Sequence, residues 1–386
     1  LQNAAPLTQQ YCVTEETMPN KNKNRSKDTG KCLILATGSS LQYRTLRCAA
    51  AYFDEAYVLG TAEARPLSLS FACDGFYETP VDKDHFHDLN ISLINKICSE
   101  MRIGHILPSD GATTRYLTAS RSYLDPICYP VPTTQTFDTL DNKLLFTELC
   151  ESLNLPCPVT HFAENESSVL EMASRGDITS PSVAKPLNMF GSFGVTKLVW
   201  SSPADLVGQV TYSPILIQNY IDGIDVSAFF LCRQGTEIAS VLYRKNHRQL
   251  EFFEMPKIMD ACRRINEHFR YDGVLGFDIR IRPDGSFYFL ECNPRFWYNM
   301  HVAYIAGLNF VALGFGIGSS AAPPLSIKGV SVMNPKPLLW KIATAWKLDE
   351  LDRQALGYFR RDLLSNLWML RQRLSRDGRM AHGQQL

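Results

Sequence analysis

Residues 276–295 read GFDIRIRPDGSFYFLECNPR. Two runs of strand-like composition, residues 277–282 and 287–292, flank a Pro283-Asp284-Gly285 turn signal. A two-residue loop at Asp284-Gly285 and a four-residue loop over residues 283–286 predict the same register. Under either, Asp278 lies directly opposite Glu291, and Asn293, two residues on, points the same way. Two facing carboxylates repel each other. At about 4 Å and an effective dielectric near 20 the repulsion is roughly 4 kcal/mol. A cation between them removes that cost. Oxygen ligands from Asp, Glu and Asn suit a hard ion such as Mg²⁺, which takes a couple of carboxylates together with substrate phosphates. The plainer alternative is a solvated hairpin with a chance acidic pair.

At 386 residues the chain exceeds one simple core, and two or three domains are expected. The 39 basic residues balance the 39 acidic ones, which argues against a nucleic-acid binder held by phosphate attraction. Eleven cysteines lie singly with no Cys-x-x-Cys, as in a cytoplasmic protein with reduced thiols. No run of eighteen apolar residues predicts a membrane span. The first thirty residues lack the apolar core of a signal peptide and read as a flexible tail.

An apolar run at residues 32–36 leads through Thr37-Gly38-Ser39-Ser40 into a helical pattern over 41–52 and a second strand at 56–59. That is the start of an α/β domain. A further strand at 105–107 precedes Pro108-Ser109-Asp110-Gly111. Ligands of open parallel sheets bind at the carboxyl ends of strands, and Ser39, Ser40, Ser109 and Asp110 would then face one cleft, although a plain turn is the favoured reading of each alone. A Pro/Thr-rich break at 129–136 looks like a boundary, followed by a helix over 142–153. Strands are expected at 182–185, 196–200, 215–220, 226–231 and 238–243, and a helix at 256–269. Late in the chain Leu356, Phe359, Leu363, Leu367, Leu370 and Leu374 recur at helical spacing among arginines. A helix packed on the body is favoured there over peripheral membrane contact.

Lys185 stands in an apolar strand immediately before a loop containing Gly191, Ser192, Phe193 and Gly194. A lysine buried in such a strand needs an anion partner, and the loop's backbone N–H groups can close over a polyphosphate. It is not a Walker A loop, since no Gly-Lys-Ser/Thr follows. Lys143 opens the helix after Leu140-Asp141-Asn142. The apolar strand ending in Gln218-Asn219-Tyr220-Ile221 can offer backbone groups to an adenine edge, and Asp225 can accept from ribose hydroxyls.

The order Lys143, Lys185, Gly loop, Gln218 to Asp225, Asp278, then Glu291-x-Asn293-Pro-Arg295 resembles the ATP-grasp superfamily over roughly residues 32–325. The Glu-x-Asn-Pro-Arg ending, thirteen residues after an Asp on the previous strand, is the specific part. The resemblance implies an α+β or α/β chain. Its parts would be a tail (1–30), an N-terminal Rossmann-like pre-ATP-grasp domain (31–130), a small subdomain with the Gly loop (131–210), a subdomain with the Mg²⁺ site (211–326) and a C-terminal helical extension (327–386). It implies that Lys143 and Lys185 hold the phosphates of ATP and that the loop from Gly191 through Ser192 and Phe193 to Gly194 covers them. Gln218, Asn219, Tyr220 and Ile221 would contact adenine and Asp225 ribose. Asp278, Glu291 and Asn293 would ligate Mg²⁺, with Mn²⁺ as the alternative ion. Arg295, Lys185 and Arg280 would assist at the reacting centre, Arg280 otherwise forming an ion pair with Asp278 or Glu291. Many relatives carry an acidic residue where this chain has Gln218 or Asn219. Residues 296–301, Phe-Trp-Tyr-Asn-Met-His, are bulkier than usual and point to an unusual acceptor pocket.

The implied activity is an ADP-forming ligase that joins a small-molecule carboxylate to an amine through an acyl phosphate; a homodimer is compatible with this. A small-molecule kinase on the same scaffold and a non-catalytic nucleotide-binding protein are the alternatives. Arg244, Lys245 and His247 are read as a solvated basic turn in preference to a wall of the acceptor site.

Overall fold

The computed structural model describes residues 30–187, 194–316, 324–344 and 347–362. Five parallel strands come first: β1 (Lys31–Ala36), β2 (Glu55–Gly60), β3 (Gly75–Glu78), β4 (His105–Leu107) and β5 (Ile127–Cys128), in the order β3-β2-β1-β4-β5. Strand β1 is apolar on both faces because helices cover both. Leu33 and Leu35 pack with Ile94, Ile97, Tyr116 and Leu117 on one side. Cys32, Ile34 and Ala36 join Leu46 and Ala49 of the Ser40–Ala50 helix on the other. The expected strands at 32–36, 56–59 and 105–107 are present. Strands β3 and β5 were not expected; they are too short to show a period.

A second, antiparallel sheet is made of β6 (Thr160–Ala163), β7 (Ser182–Pro186), β8 (Thr196–Leu198) and β9 (Ile215–Asn219), in the order β6-β9-β7-β8. A larger sheet follows, with β10 (Ile224–Arg233), β11 (Thr236–Lys245), β12 (Gln249–Phe252), β13 (Gly273–Ile281), β14 (Phe287–Asn293), β15 (Leu325–Ile327) and β16 (Val330–Met333). Its order is β14-β13-β10-β11-β12-β16, with β15 parallel to β11. Between β10 and β11, Gln234 (φ 51°) and Gly235 (φ 81°) form the two-residue turn that fits strand twist.

The two faces of the large sheet differ, and that difference creates the site. Ala228, Phe230, Leu275, Phe277, Ile279 and Phe289 point to one face and pack on helices Lys143–Ser152 and Pro256–His268. On the opposite face Phe229, Leu231, Val241 and Val274 are buried in a core shared with the parallel-sheet domain. Further along that face the alternation continues with Asp225, Ser227, Asp278 and Glu291.

The hairpin β13/β14 has the expected Asp278–Glu291 pairing, reached by a different route. Near the turn the partners are Ile279/Phe289, Arg280/Tyr288 and Ile281/Phe287, and the register shifts between Asp278 and Ile279. The loop is Pro283-Asp284-Gly285, closed by Arg282 N–H to Ser286 O (2.8 Å) and Gly285 N–H to Arg282 O (2.9 Å), with Gly285 at φ 80°. Neither predicted loop length forms. The β-bulge opposite restores the pairing by absorbing one residue, Leu290. It also lets Phe289 and Cys292, three apart, enter the same core.

The C-terminal part is helical, with helices Pro335–Ala343 and Glu350–Arg360. Leu356 and Phe359 pack against the core, as the packed-helix reading expects. The later leucines, from Leu363 on, lie outside the described residues. Asp362 is buried and accepts from Ser70 Oγ (2.5 Å), Phe71 N–H (2.9 Å) and Arg47 (3.3 Å), which fastens this end to the parallel-sheet domain. No helix among the described residues is long and apolar enough to cross a membrane.

His301 is buried with its ring stacked on Tyr358 at 5.3 Å, and its Nδ1 has no partner among the described residues. Burial, then the charges of Arg44 and Arg47, hold its pKa well below the usual 6.5. The folded state therefore binds fewer protons than the unfolded chain. The contribution is fully present above about pH 6.5 and is lost as pH falls, at ~1.4 kcal/mol per pH unit. Denaturant unfolding of His301→Phe at pH 7.5 and 5.5 is expected to show a pH-dependent loss about 1 kcal/mol smaller than in the parent chain. Equal losses in both proteins would refute this reading.

Candidate active site

Tyr243, Ser227, Asp278 and Glu291 form one row of directly opposed residues across β11, β10, β13 and β14. Ser227 Oγ donates to Asp278 Oδ1 at 2.7 Å. Asn293 Nδ2 lies 3.3 Å from Asp278 Oδ2 and 3.4 Å from Glu291 Oε1, so all three predicted ligands converge. Burial, followed by the facing charge of Glu291, pushes the Asp278 carboxyl up to about 7. This is the electrostatic conflict anticipated from the hairpin alone.

Cations ring the pair. Lys143 is buried at the first turn of its helix, where Asn142 Oδ1 accepts from Leu144 and Leu145 N–H, and its Nζ stands 4.0 Å from Glu291 Oε2. Lys185, on β7 of the smaller sheet, is 7% exposed. Burial lowers its pKa; the charge of Glu291 works against that shift, and Lys143 and Arg280 work with it. Arg295 Nη2 donates to Asn293 Oδ1 at 2.6 Å. Its Cδ lies 3.3 Å from where a Cβ on Gly111 would sit, so the loop after β4 reaches the site.

Other expected residues are placed differently. Arg280 pairs with Asp225, with neither Asp278 nor Glu291: its Nη2 is 2.6 Å from Asp225 Oδ1, and Nη1 donates to Ile221 O at 3.0 Å. The adenine stretch spends its N–H groups internally, Asn219 on Val159 O (3.0 Å) and Tyr220 on Pro181 O (3.1 Å). Gln218 is buried, with Nε2 on Thr160 Oγ1 (3.0 Å) and Oε1 without a partner among the described residues. The Tyr220 ring carries Lys197 Nζ at 3.6 Å. Gly194 is at φ 71° and its carbonyl accepts from Tyr212 OH (2.7 Å), whereas Gly191, Ser192 and Phe193 lie outside the described residues.

Ser109 and Asp110 are buried and act as turn and capping residues, the favoured sequence reading. Ser109 Oγ donates to Leu35 O (2.5 Å). Asp110 caps the helix Gly111–Ser120 and accepts from Thr37 N–H (3.1 Å) and Gln42 Nε2 (2.7 Å), which ties the loops after β1 and β4 together. Asp141 went unread in the sequence. Burial pushes its carboxyl up to about 6, against Arg295 and then Lys143. The only signal was its place before the Asn142 cap.

The donor set fits a hard divalent cation, with two carboxylates and an amide oxygen. Asn293 Oδ1 faces Arg295 as placed, and turning the amide by half a revolution brings oxygen to the carboxylates. Lys143, Lys185 and Arg295 supply the positive surround that a polyphosphate needs.

Residues 211–331, which contain the whole Asp278–Asn293 hairpin, match a family described as ATP-grasp in the biosynthetic pathway with Ter operon. Among solved structures, N5-carboxyaminoimidazole synthetase from Staphylococcus aureus is similar at TM-score 0.58 and 14% identity, over 84% of this chain and 88% of that one. The biotin carboxylase domain of 2-oxoglutarate carboxylase from Hydrogenobacter thermophilus, with MgADP and bicarbonate, matches at TM-score 0.59 and 13% identity, over 78% and 72%. L-amino acid ligase from Bacillus licheniformis matches at 0.55 and 14%, over 74% and 73%. At these identities the likeness concerns the fold. A Rossmann-like parallel sheet, two antiparallel sheets with the charged cluster at their meeting, and a helical extension define the class. Residues 211–331 thus match an ATP-grasp family, and the chain as a whole shares the fold of these solved enzymes.

Proposed function

We propose that this chain is an ATP-dependent ligase that activates a carboxylate as an acyl phosphate and joins it to an amine, releasing ADP and phosphate. The observation that carries this is the Asp278–Glu291 pair, with Asn293 beside it and Lys143, Lys185 and Arg295 around it. A phosphoryl group in transfer needs charge neutralisation and positioning more than covalent help. A substrate carboxylate oxygen attacks the γ-phosphorus and the bond to the β,γ-bridging oxygen breaks, releasing ADP. The amine then attacks the acyl carbon, gives up a proton, and phosphate leaves.

Asp278, Glu291 and Asn293 would hold Mg²⁺, which supplies charge neutralisation at the phosphates. Lys143 and Lys185 hold the phosphate chain, Arg295 orients the reacting oxygen, and Gln218 Oε1 offers an acceptor at the base. Asp225, braced by Arg280, receives the ribose hydroxyls, so Arg280 acts as a positioning residue. Similar structures, one a biotin carboxylase domain with MgADP and bicarbonate and one an L-amino acid ligase, support the same chemistry.

The test is phosphate release from ATP and Mg²⁺ by the full chain with pooled carboxylic acids, with and without amino acids. Release that requires both an acid and an amine is expected. A stable phosphorylated product formed without amine would replace the ligase reading with a kinase.

A further inference from the structure

A cavity of about 240 Å³ lies where the parallel-sheet domain meets the far end of the large sheet, beside the turn between β10 and β11. Arg233, the last residue of β10, is six residues from Ser227, roughly 20 Å along the strand, so this cavity stands apart from the Asp278–Glu291 cluster. We propose that it binds a phosphate dianion, free or carried on a small ester, clasped between Arg121 and Arg270. The proposal does not depend on the ligase reading.

The two arginines come from different parts of the fold. Arg121 opens the short turn Arg121–Tyr123 after the helix Gly111–Ser120 of the parallel-sheet domain. Arg270 follows the helix Pro256–His268, which backs the large sheet. Each guanidinium spends one N–H on a neutral oxygen. Arg121 Nη1 donates to Val131 O at 2.6 Å, and Arg270 Nη2 donates to Gln234 Oε1 at 3.1 Å. Neither has a carboxylate at ion-pair distance among the described residues. With five N–H donors on each side chain, most of both forks is left for a ligand. The carboxylate that lines the cavity, Asp272, is engaged elsewhere. Its Oδ1 accepts from Gln234 N–H at 2.9 Å and its Oδ2 from Gln234 Nε2 at 2.6 Å. Two guanidiniums against one carboxylate leave the cavity net positive.

The walls are fixed and add a donor. Thr133 Oγ1 donates to Thr136 Oγ1 at 2.9 Å, so the buried Thr136 hydroxyl keeps its own proton for an acceptor in the cavity. Gly273, at φ 104°, lies so close to Pro130 that an added Cβ would run into the Pro130 carbonyl, which holds the loop against the sheet. Arg270 itself takes φ 45°, the left-handed conformation usually given to glycine at a helix end. A glycine there would relieve the backbone and lose the guanidinium. Forked guanidiniums match the oxygens of a phosphate, which has acceptors enough for both arginines and the threonine.

The full chain is titrated calorimetrically with inorganic phosphate, glycerol 3-phosphate and acetate. At least one of the phosphates is expected to bind about tenfold or more tighter than acetate. Tighter binding of the ester assigns a phosphorylated metabolite as the ligand, and equal or tighter binding of the free ion assigns phosphate itself. Arg121→Gln and Arg270→Gln, made separately, are each expected to weaken that binding at least about tenfold, whereas Lys185→Gln leaves it within about twofold. Both arginine side chains are exposed, so neither substitution opens a core. Phosphate should also raise the denaturation midpoint of the parent chain, and raise it less in either arginine variant. No preference for the phosphates over acetate would overturn the proposal. So would binding that Lys185→Gln weakens while both arginine variants keep it.

Discussion

Glu291→Ala is expected to lower ATP-dependent turnover by about 10²- to 10³-fold, the usual cost of removing one preorganised electrostatic group. Glu291 faces Asp278 across the hairpin, stands 4.0 Å from Lys143, and is the first charge opposing the pKa shift of Lys185. On the proposed reading, one change thus removes a metal ligand and the counter-charge of the two lysines assigned to the phosphates. The chain should stay folded, because Glu291 sits on the edge strand β14 with a partly exposed side chain and the neighbouring Phe289 and Cys292 keep the core. Steady-state phosphate release together with a denaturant melt checks both halves. Undiminished turnover in a folded variant would refute the metal assignment.

Gly276→Ala is expected to destabilise the fold by about 3 kcal/mol, at the upper end for overpacking. A Cβ at this position would meet the Phe229 ring at 1.9 Å. Phe229 cannot yield, since it stacks on Trp297 with centroids 4.2 Å apart and lies in the core shared with the parallel-sheet domain. The same strain falls beside Asn293, the ladder partner of Gly276, so the site should suffer with the fold. Gly357→Ala is the control. It lies inside the Glu350–Arg360 helix with nothing within 4 Å of the new methyl, and should gain roughly 0.5–1 kcal/mol. The two denaturation midpoints should therefore move in opposite directions. A Gly276→Ala midpoint equal to that of the parent chain would contradict the packing account.

The residues that define the site were legible because they sit on a hairpin, where period two and a turn signal determine which side chains face each other. The register reached there was right at Asp278 and Glu291 although the loop length was not. A bulged Leu290 looks like any other strand residue, and its extra residue offset the loop error. Lys185 was readable as a lysine in an apolar strand, whereas Lys143 alone reads as a surface lysine and gained meaning only from the resemblance. Asp141 was not, because only the tertiary approach of Arg295 and Lys143 gives it significance.

Ser109 and Asp110 kept two readings, the turn favoured over the ligand cleft, because turn residues that cap a helix and turn residues that bind a ligand have the same composition. Arg280 was read either as a group at the reacting centre or as the ion-pair partner of Asp278 or Glu291; its pairing with Asp225 depends on β10 lying next to β13. The turn at His247 is pinned by Asn334, whose Nδ2 donates to Asn246 O at 3.3 Å, and this was beyond reach from sequence. The brace lies 88 residues from Asn246, and nothing local announces the contact.

The central claim is that the Asp278–Glu291 hairpin is half of a magnesium–nucleotide site. Calorimetric titration of the full chain with ADP, with and without Mg²⁺, tests it most directly. The account predicts ADP binding that Mg²⁺ strengthens, and loss of that Mg²⁺ dependence in Glu291→Ala. Failure to bind ADP, or binding that Mg²⁺ leaves unchanged in the parent chain, would contradict it.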